Sequence, residues 1–187
     1  RFGIGQPVTR KEDARFLTTS LARENFFYSR RIGAAPTVPV IGSFLDYPRN
    51  STILAAAKLT GRLSSGMSLG VLGAVTDAES ARVSSFGSSR IDVVRIAPRT
   101  NYGVARVQQQ FGQWGSTIAG MATGMHRNFE KDDPLAAVLK HNEFTVMSDS
   151  SLRFRGGQYE LRSYAGISHV DGTPLAIERV QRSSVHY

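Results

Sequence analysis

The stretch Ile53-Leu54-Ala55-Ala56-Ala57-Lys58-Leu59-Thr60-Gly61-Arg62, followed by Leu63-Ser64-Ser65-Gly66 and then Met67-Ser68-Leu69-Gly70-Val71-Leu72-Gly73-Ala74-Val75-Thr76, decides the fold. Its period is two. Ile53, Ala55, Ala57, Leu59 and Gly61 fall on one face, and Lys58, Thr60 and Arg62 fall on the other. In the second run Leu69, Val71, Gly73 and Val75 oppose Ser68, Gly70, Ala74 and Thr76. Successive side chains of a strand point to opposite faces, so each run is a strand with one apolar side. The Ser-Ser-Gly link is short and supplies a residue tolerant of positive φ, which predicts a hairpin.

The pattern recurs along the chain. From Tyr102 to Phe111, Gly103, Ala105, Val107 and Phe111 oppose Tyr102, Arg106, Gln108 and Gln110; the turn 112–115 then leads into a run from Ser116 to Asn128, where Met121 and Met125 break the alternation. Phe144, Val146, Leu152 and Phe154 oppose Glu143, Thr145, Asp149, Arg153 and Arg155. Gly156-Gly157 turns the chain, and Tyr159, Leu161, Ala165 and Ile167 return opposite Gln158, Glu160, Arg162 and Ser168. Residues 83–90, rich in Ser and Arg, read as a loop.

Runs of about ten residues exceed the usual sandwich strand and are long enough to cross an apolar band when tilted. The expected fold is therefore all-β: an antiparallel up-and-down β-barrel fragment of outer-membrane type. A soluble β-sandwich binding module is the alternative, and the small Ala and Gly residues on the apolar face speak for it.

The start of the chain differs. Thr9-Arg10-Lys11-Glu12 is a capping box, and Ala14, Phe16, Leu17 and Leu21 follow at helical spacing. A short N-terminal helix is predicted from about Arg10 to Arg23. The shift in composition near Asn25 divides an irregular, helix-bearing segment, 1–24, from a partial barrel domain, 25–187. A chain that starts at Arg1 without Met and ends at Tyr187 within a strand-like pattern reads as a piece of a longer protein.

Composition bounds the chemistry. There is no Cys, which excludes disulfides, Zn–thiolate sites and Cys nucleophiles. The charge is +8, from 23 Lys and Arg against 15 Asp and Glu, but the cations are scattered, without the run or aromatic interleaving of a nucleic-acid surface. Nucleic acid is not an expected partner. No apolar run reaches the length of a membrane helix. His126, His141, His169 and His186 lack the spacing of a metal site, and no Gly-x-Ser-x-Gly elbow is present. No catalytic, cofactor-binding or metal-binding residue is assigned, and the chain is not expected to be an enzyme. Asp132-Asp133-Pro134 reads as a solvated turn in preference to half of a cation site.

The candidate site is a charge cluster. Arg30, Arg31, Lys58, Arg62, Arg106, Glu143, Asp149, Arg153, Arg155, Glu160 and Arg162 fall mostly on polar faces, which would be the lumen of a barrel. Oppositely charged residues on facing strands favour an inter-strand salt-bridge ladder; a selectivity wall for anionic solutes is the other reading. Tyr28, Trp114, Tyr159 and Tyr187 lie near segment ends, where an interfacial aromatic girdle is expected.

The strings FFYSRRIG (26–33), ILAAAKLTGR (53–62), SLGVLGAVT (68–76), NYGVARVQQQFG (101–112), AGMATGMHRNF (119–129) and QRSSVHY (181–187), in this order, resemble the domain of unknown function 5916 over about residues 25–187. That family is a β-barrel region commonly found C-terminal to a carbohydrate-binding family-9-like domain. The resemblance implies an outer-membrane location, lipid around the barrel, and saccharide reached through an N-terminal domain outside this sequence. It implies no known activity and no cofactor. The family domain is longer than this stretch, so further strands are expected elsewhere. Residues 4–18, IGQPVTRKEDARFLT, instead resemble the opening of a molybdenum hydroxylase large subunit. Nothing after Thr18 continues that pattern, so the start reads as a junction or chance match. A fragment of such an enzyme is the least favoured alternative.

Overall fold

The computed structural model describes residues 31–87 and 90–182, together with the backbone at 20–21 and 24–25. A two-residue ribbon pairs β1 (Ser20–Leu21) with β2 (Glu24–Asn25). The predicted helix therefore does not extend through Leu21. Thr18, Thr19 and Ser20 are weak helix formers, so extended pairing wins at that end. The rest of the helix expected over 10–23 lies outside the described residues.

Strands β3 (Phe44–Asp46), β4 (Ile53–Arg62), β5 (Met67–Thr76), β6 (Glu79–Ser84), β7 (Ile91–Ala97), β8 (Arg99–Phe111), β9 (Ser116–Asn128), β10 (Asn142–Phe154) and β11 (Tyr159–Asp171) follow, then helix α1 (Pro174–Gln181). The six-stranded sheet runs β11-β10-β9-β8-β5-β4, and the smaller one runs β3-β6-β7. All pairings are antiparallel. The small sheet is a continuation of the large one. Thr76 pairs with Thr100 at the end of β5–β8, and Glu79 pairs with Ala97 at the start of β6–β7, so the two form one long hairpin. At its base Asp77 N donates to Thr52 O at 2.8 Å, and Thr52 N donates to Glu79 Oε1 at 2.6 Å. The whole is an up-and-down meander. No closure joins β4 to β11 among the described residues, so the observed architecture is an open antiparallel sheet.

The alternation sets which face is sheltered. The cross-strand row Thr60–Gly70–Arg106–Met121–Met147–Gly166 is on the inner face, and the neighbouring row Leu59–Val71–Ala105–Ala122–Val146–Ile167 is on the outer face. Arg106 is only 5 % exposed, whereas Leu59 and Ile167 are 66 % and 72 % exposed. The usual soluble arrangement is inverted. Met121 and Met125 keep the alternation that the sequence suggested they break. Their inward positions put Met121 in a small apolar cluster with Val104, Met147 and Leu72.

The two ends of the sheet are unlike. At one end the connections are tight: Gly66 (φ 83°), Gly112 (φ 70°), Gly115 (φ 67°), Gly156 (φ 72°) and Gly157 (φ 86°) supply the left-handed backbone that such turns need. At the other end lie the β6–β7 hairpin and the long 129–141 connection. There Leu135, on a 3-10 turn at Pro134–Ala137, is buried against β7. Helix α1 caps this end. The Thr173 hydroxyl donates to Ala137 O at 2.6 Å and accepts from Ala176 N at 3.2 Å. The strand-like pattern expected at Tyr187 lies outside the described residues; before it, Thr at the N-cap and Pro at the first helical position make residues 174–181 helical. Residues 83–84, read as loop, complete β6. No helix among the described residues is long and apolar enough to cross a membrane.

Candidate functional site

The inner face carries the charge cluster, and its strand register decides who meets whom. Arg106 on β8 reaches over Met121 on β9 to Asp149 on β10. Its Nη1 donates to Asp149 Oδ1 at 2.7 Å and its Nη2 donates to Oδ2 at 3.1 Å, with Gln108 Oε1 at 3.3 Å from the same nitrogen. This is a bidentate pair. Arg106 is 5 % and Asp149 14 % exposed at the side chain, so the charges are held where water is scarce.

Nearer the tight turns, Glu160 on β11 gathers three donors. Arg162 Nη2 lies 2.9 Å from Oε2, Ser151 Oγ lies 2.6 Å from Oε1, and Arg153 Nε lies 3.6 Å from Oε1. Arg62 on β4 donates to Gln110 Oε1 at 2.6 Å, reaching across β5. Lys58 makes no ion pair among the described residues. At the opposite end Glu143 is paired with Lys140, whose carbonyl accepts from Arg127 Nη1 at 2.9 Å.

Two members fall outside the cluster. Arg155 takes φ 47° in the turn and lies over the Tyr159 ring, 5.9 Å from its centroid, so the turn carries it off the inner face. Arg31 is exposed before the first long strand, far in sequence from the sheet, and Arg30 lies outside the described residues. The sequence could not place either, because neither sits on an alternating run.

The sequence missed Gln108, Gln110 and Ser151 as site members. Each shares the inner face by parity with a charged residue already noted, and that signal was available.

The Asp132-Asp133-Pro134 segment is a turn, solvated at Asp132 and Pro134 but not at Asp133. The Asp133 side chain is 3 % exposed; its Oδ1 accepts from Leu135 N at 2.9 Å, capping the 3-10 turn, and its Oδ2 stands 3.7 Å from Arg95 Nη1. Arg95 also donates to Glu130 at 2.6 Å. A guanidinium already occupies the place a metal cation would take. No three metal-capable side chains converge among the described residues. His126 faces Asn142 Oδ1 at 2.7 Å, His141 faces Ala136 O at 2.8 Å and packs on Phe129, and His186 lies outside the described residues.

A shallow concavity of about 420 Å³ lies at the loop end of β8, β9 and β10, over Gly103 and Gly124, with Glu143 of the cluster in its lining. His126 and Glu143 in its lining are engaged with Asn142 and Lys140. It offers no free acid–base pair.

Of the girdle residues, Trp114 and Tyr159 are exposed at the tight-turn end beside the outward Phe111 and Phe154. Tyr28 and Tyr187 lie outside the described residues.

The arrangement is that of an all-antiparallel β meander with a polar, charge-paired inner face and an apolar outer face. The family model described as Domain of unknown function (DUF5916) matches residues 17–157, and the chain belongs to that family. The match begins before the composition shift at Asn25 and ends in the β10–β11 turn. No curated protein and no solved structure matches the chain.

Proposed function

We propose that this chain is a non-catalytic outer-membrane β-barrel segment, an anchor or conduit associated with a carbohydrate-binding domain. One observation carries the reading: the inner face bears the charged side chains, with Arg106 buried at its centre, while Leu59, Val71, Val107, Ile118, Leu161 and Ile167 project outward, exposed. A continuous apolar face of that kind is costly in water and favourable in hydrocarbon. Strand length agrees with it. Ten to thirteen residues, at about 3.3 Å each and tilted by about 40°, cross roughly 25 to 33 Å, which matches an outer-membrane apolar band. Short turns at one end, long connections at the other, and aromatics at the turn end follow the same plan.

On this reading the partners are outer-membrane lipid at the outer face and saccharide through a domain outside this sequence, with no nucleic acid. The edges β4 and β11 must both be paired in the membrane, because an unsatisfied backbone group in hydrocarbon costs several kcal/mol. Strands beyond these six are needed for that. The experiment is partition of the expressed chain, beside its full-length gene product, between detergent-extracted membrane and soluble fractions, with gel mobility compared before and after boiling. A detergent-requiring, heat-modifiable species supports the proposal; a monomer that stays soluble without detergent ends it.

A further inference from the structure

The inner face is not uniformly neutralised. From the Lys58–Thr145 row to the tight turns it holds Lys58, Arg62, Arg106, Arg153 and Arg162 against Asp149 and Glu160, an excess of three positive charges. Loop-ward of that row it holds Arg127 against Glu143, which balance. The excess also stands on both walls of the sheet: Lys58 and Arg62 are on β4, whereas Arg153 and Arg162 are on β10 and β11. Among the described residues neither Lys58 nor Arg62 meets a carboxylate; Arg62 is held by the neutral amide of Gln110. Arg153 and Arg162 share one carboxylate, Glu160. Only Arg106 has a carboxylate to itself, in Asp149.

Cations with a common sign on walls of low dielectric focus the potential between them and raise the local concentration of anions. We infer that the inner face from the Lys58 row to the tight turns attracts small solutes bearing a carboxylate or phosphate, and that Lys58 and Arg62 set this preference while Arg106–Asp149 holds the wall together. Neutral donors stand in the same region: the side-chain amide nitrogens of Gln108 and Gln110 can bond the anion without cancelling the charge. The inference deepens the conduit reading and rests on it for its physiological meaning, but the charge imbalance can be measured whether or not the chain enters a membrane.

The absence of Cys makes the test clean. Single cysteines are placed at Ser68 (turn-ward, inner), Met125 (loop-ward, inner, opposite Glu143) and Leu69 (outer) in the full chain. Each is alkylated with an anionic, sulfonate-bearing methanethiosulfonate and with a cationic, trimethylammonium-bearing one. The anionic-to-cationic rate ratio at Ser68→Cys is expected to exceed that at Met125→Cys by about tenfold at low salt, and to shrink as the Debye length falls below about 10 Å. Adding Lys58→Gln and Arg62→Gln should bring the two ratios within about twofold. Equal ratios at the two inner sites, or a preference that survives the double substitution, overturn the inference. The Leu69→Cys arm reads the membrane proposal separately: fast reaction with both reagents in detergent-free buffer counts against that proposal and leaves the inner ratios to decide this one.

Discussion

Replacing Asp149 with Leu should destabilise the protein by about 2 to 3 kcal/mol, and replacing Arg106 with Met in the same chain should recover most of that loss. The magnitude comes from the geometry. Arg106 is 5 % exposed and directs two guanidinium nitrogens at Asp149, at 2.7 and 3.1 Å. Removing one member of a buried pair costs about 3 to 5 kcal/mol because the other charge is left desolvated. Two features lower the figure here: Asp149 is 14 % exposed, so water can enter, and Gln108 keeps one acceptor at 3.3 Å. Removing both charges eliminates the stranded ion, and Met at 106 would extend the apolar cluster of Val104, Met121 and Met147. Urea unfolding in detergent micelles, followed by tryptophan fluorescence from Trp114, reads the effect. With a slope of about 2 kcal/mol/M, the midpoint should fall by about 1 to 1.5 M in Asp149→Leu and return to within about 0.5 M in the double variant. Additive losses, or a single variant that unfolds within about 0.2 M of the parent, would refute the view that this pair organises the inner face.

Further expectations follow from the turns, the cap and the hairpin base. A Cβ at Gly66 would lie 2.9 Å from the Gln110 carbonyl oxygen, and φ is +83°, so Gly66→Ala should cost about 2 kcal/mol, measured in the same urea assay. Thr173→Ala removes the cap of α1 and its bond to Ala137, and should cost about 1 kcal/mol while raising amide exchange over residues 174–178 before any change in β9 or β10. Asp77 is held below its ordinary value of 3.8 by the Ala78 backbone N–H and then by Arg99. A depressed carboxyl stabilises the fold above its unfolded value and loses that contribution as pH falls through the folded one, so amide protection factors at the hairpin base, corrected for intrinsic exchange, should fall only below about pH 4 and stay flat from pH 5 to 8. Arg at the outward Val71 or Leu161 should cost about 2 to 4 kcal/mol in lipid vesicles if those residues face hydrocarbon, against less than about 0.5 kcal/mol if they face water.

Much of the strand framework was legible because its period is simple. Ile53–Arg62 and Ser116–Asn128 have the same bounds in sequence and structure. What was lost had physical causes. Strands β6 and β7 were hidden because Ser80, Arg82, Ser84 and Arg90 give their segment a loop-like composition, although Ala81 and Val83 still alternate with Arg82. Helix α1 spans only eight residues, too few for a helical period to stand out, and its Thr173-Pro174 start was the usable signal. The cluster was legible as a face and not as pairs. Arg106 and Asp149 are forty-three residues apart, and their meeting depends on the summed register of two hairpins, which parity does not supply. Closure also lay beyond reach, because alternation fixes faces and says nothing of how many strands complete a barrel.

The measurement that bears most directly on the central claim is a single-cysteine scan along β5, from Ser68 to Val75, in the chain reconstituted into lipid vesicles. A spin label at each position is tested for collision with oxygen, which concentrates in hydrocarbon, and with a water-soluble nickel complex. Oxygen access at Leu69, Val71, Gly73 and Val75, alternating with low oxygen access at Ser68, Gly70, Leu72 and Ala74, is the result this account predicts. Nickel access at every outward position, with no period of two, would contradict it.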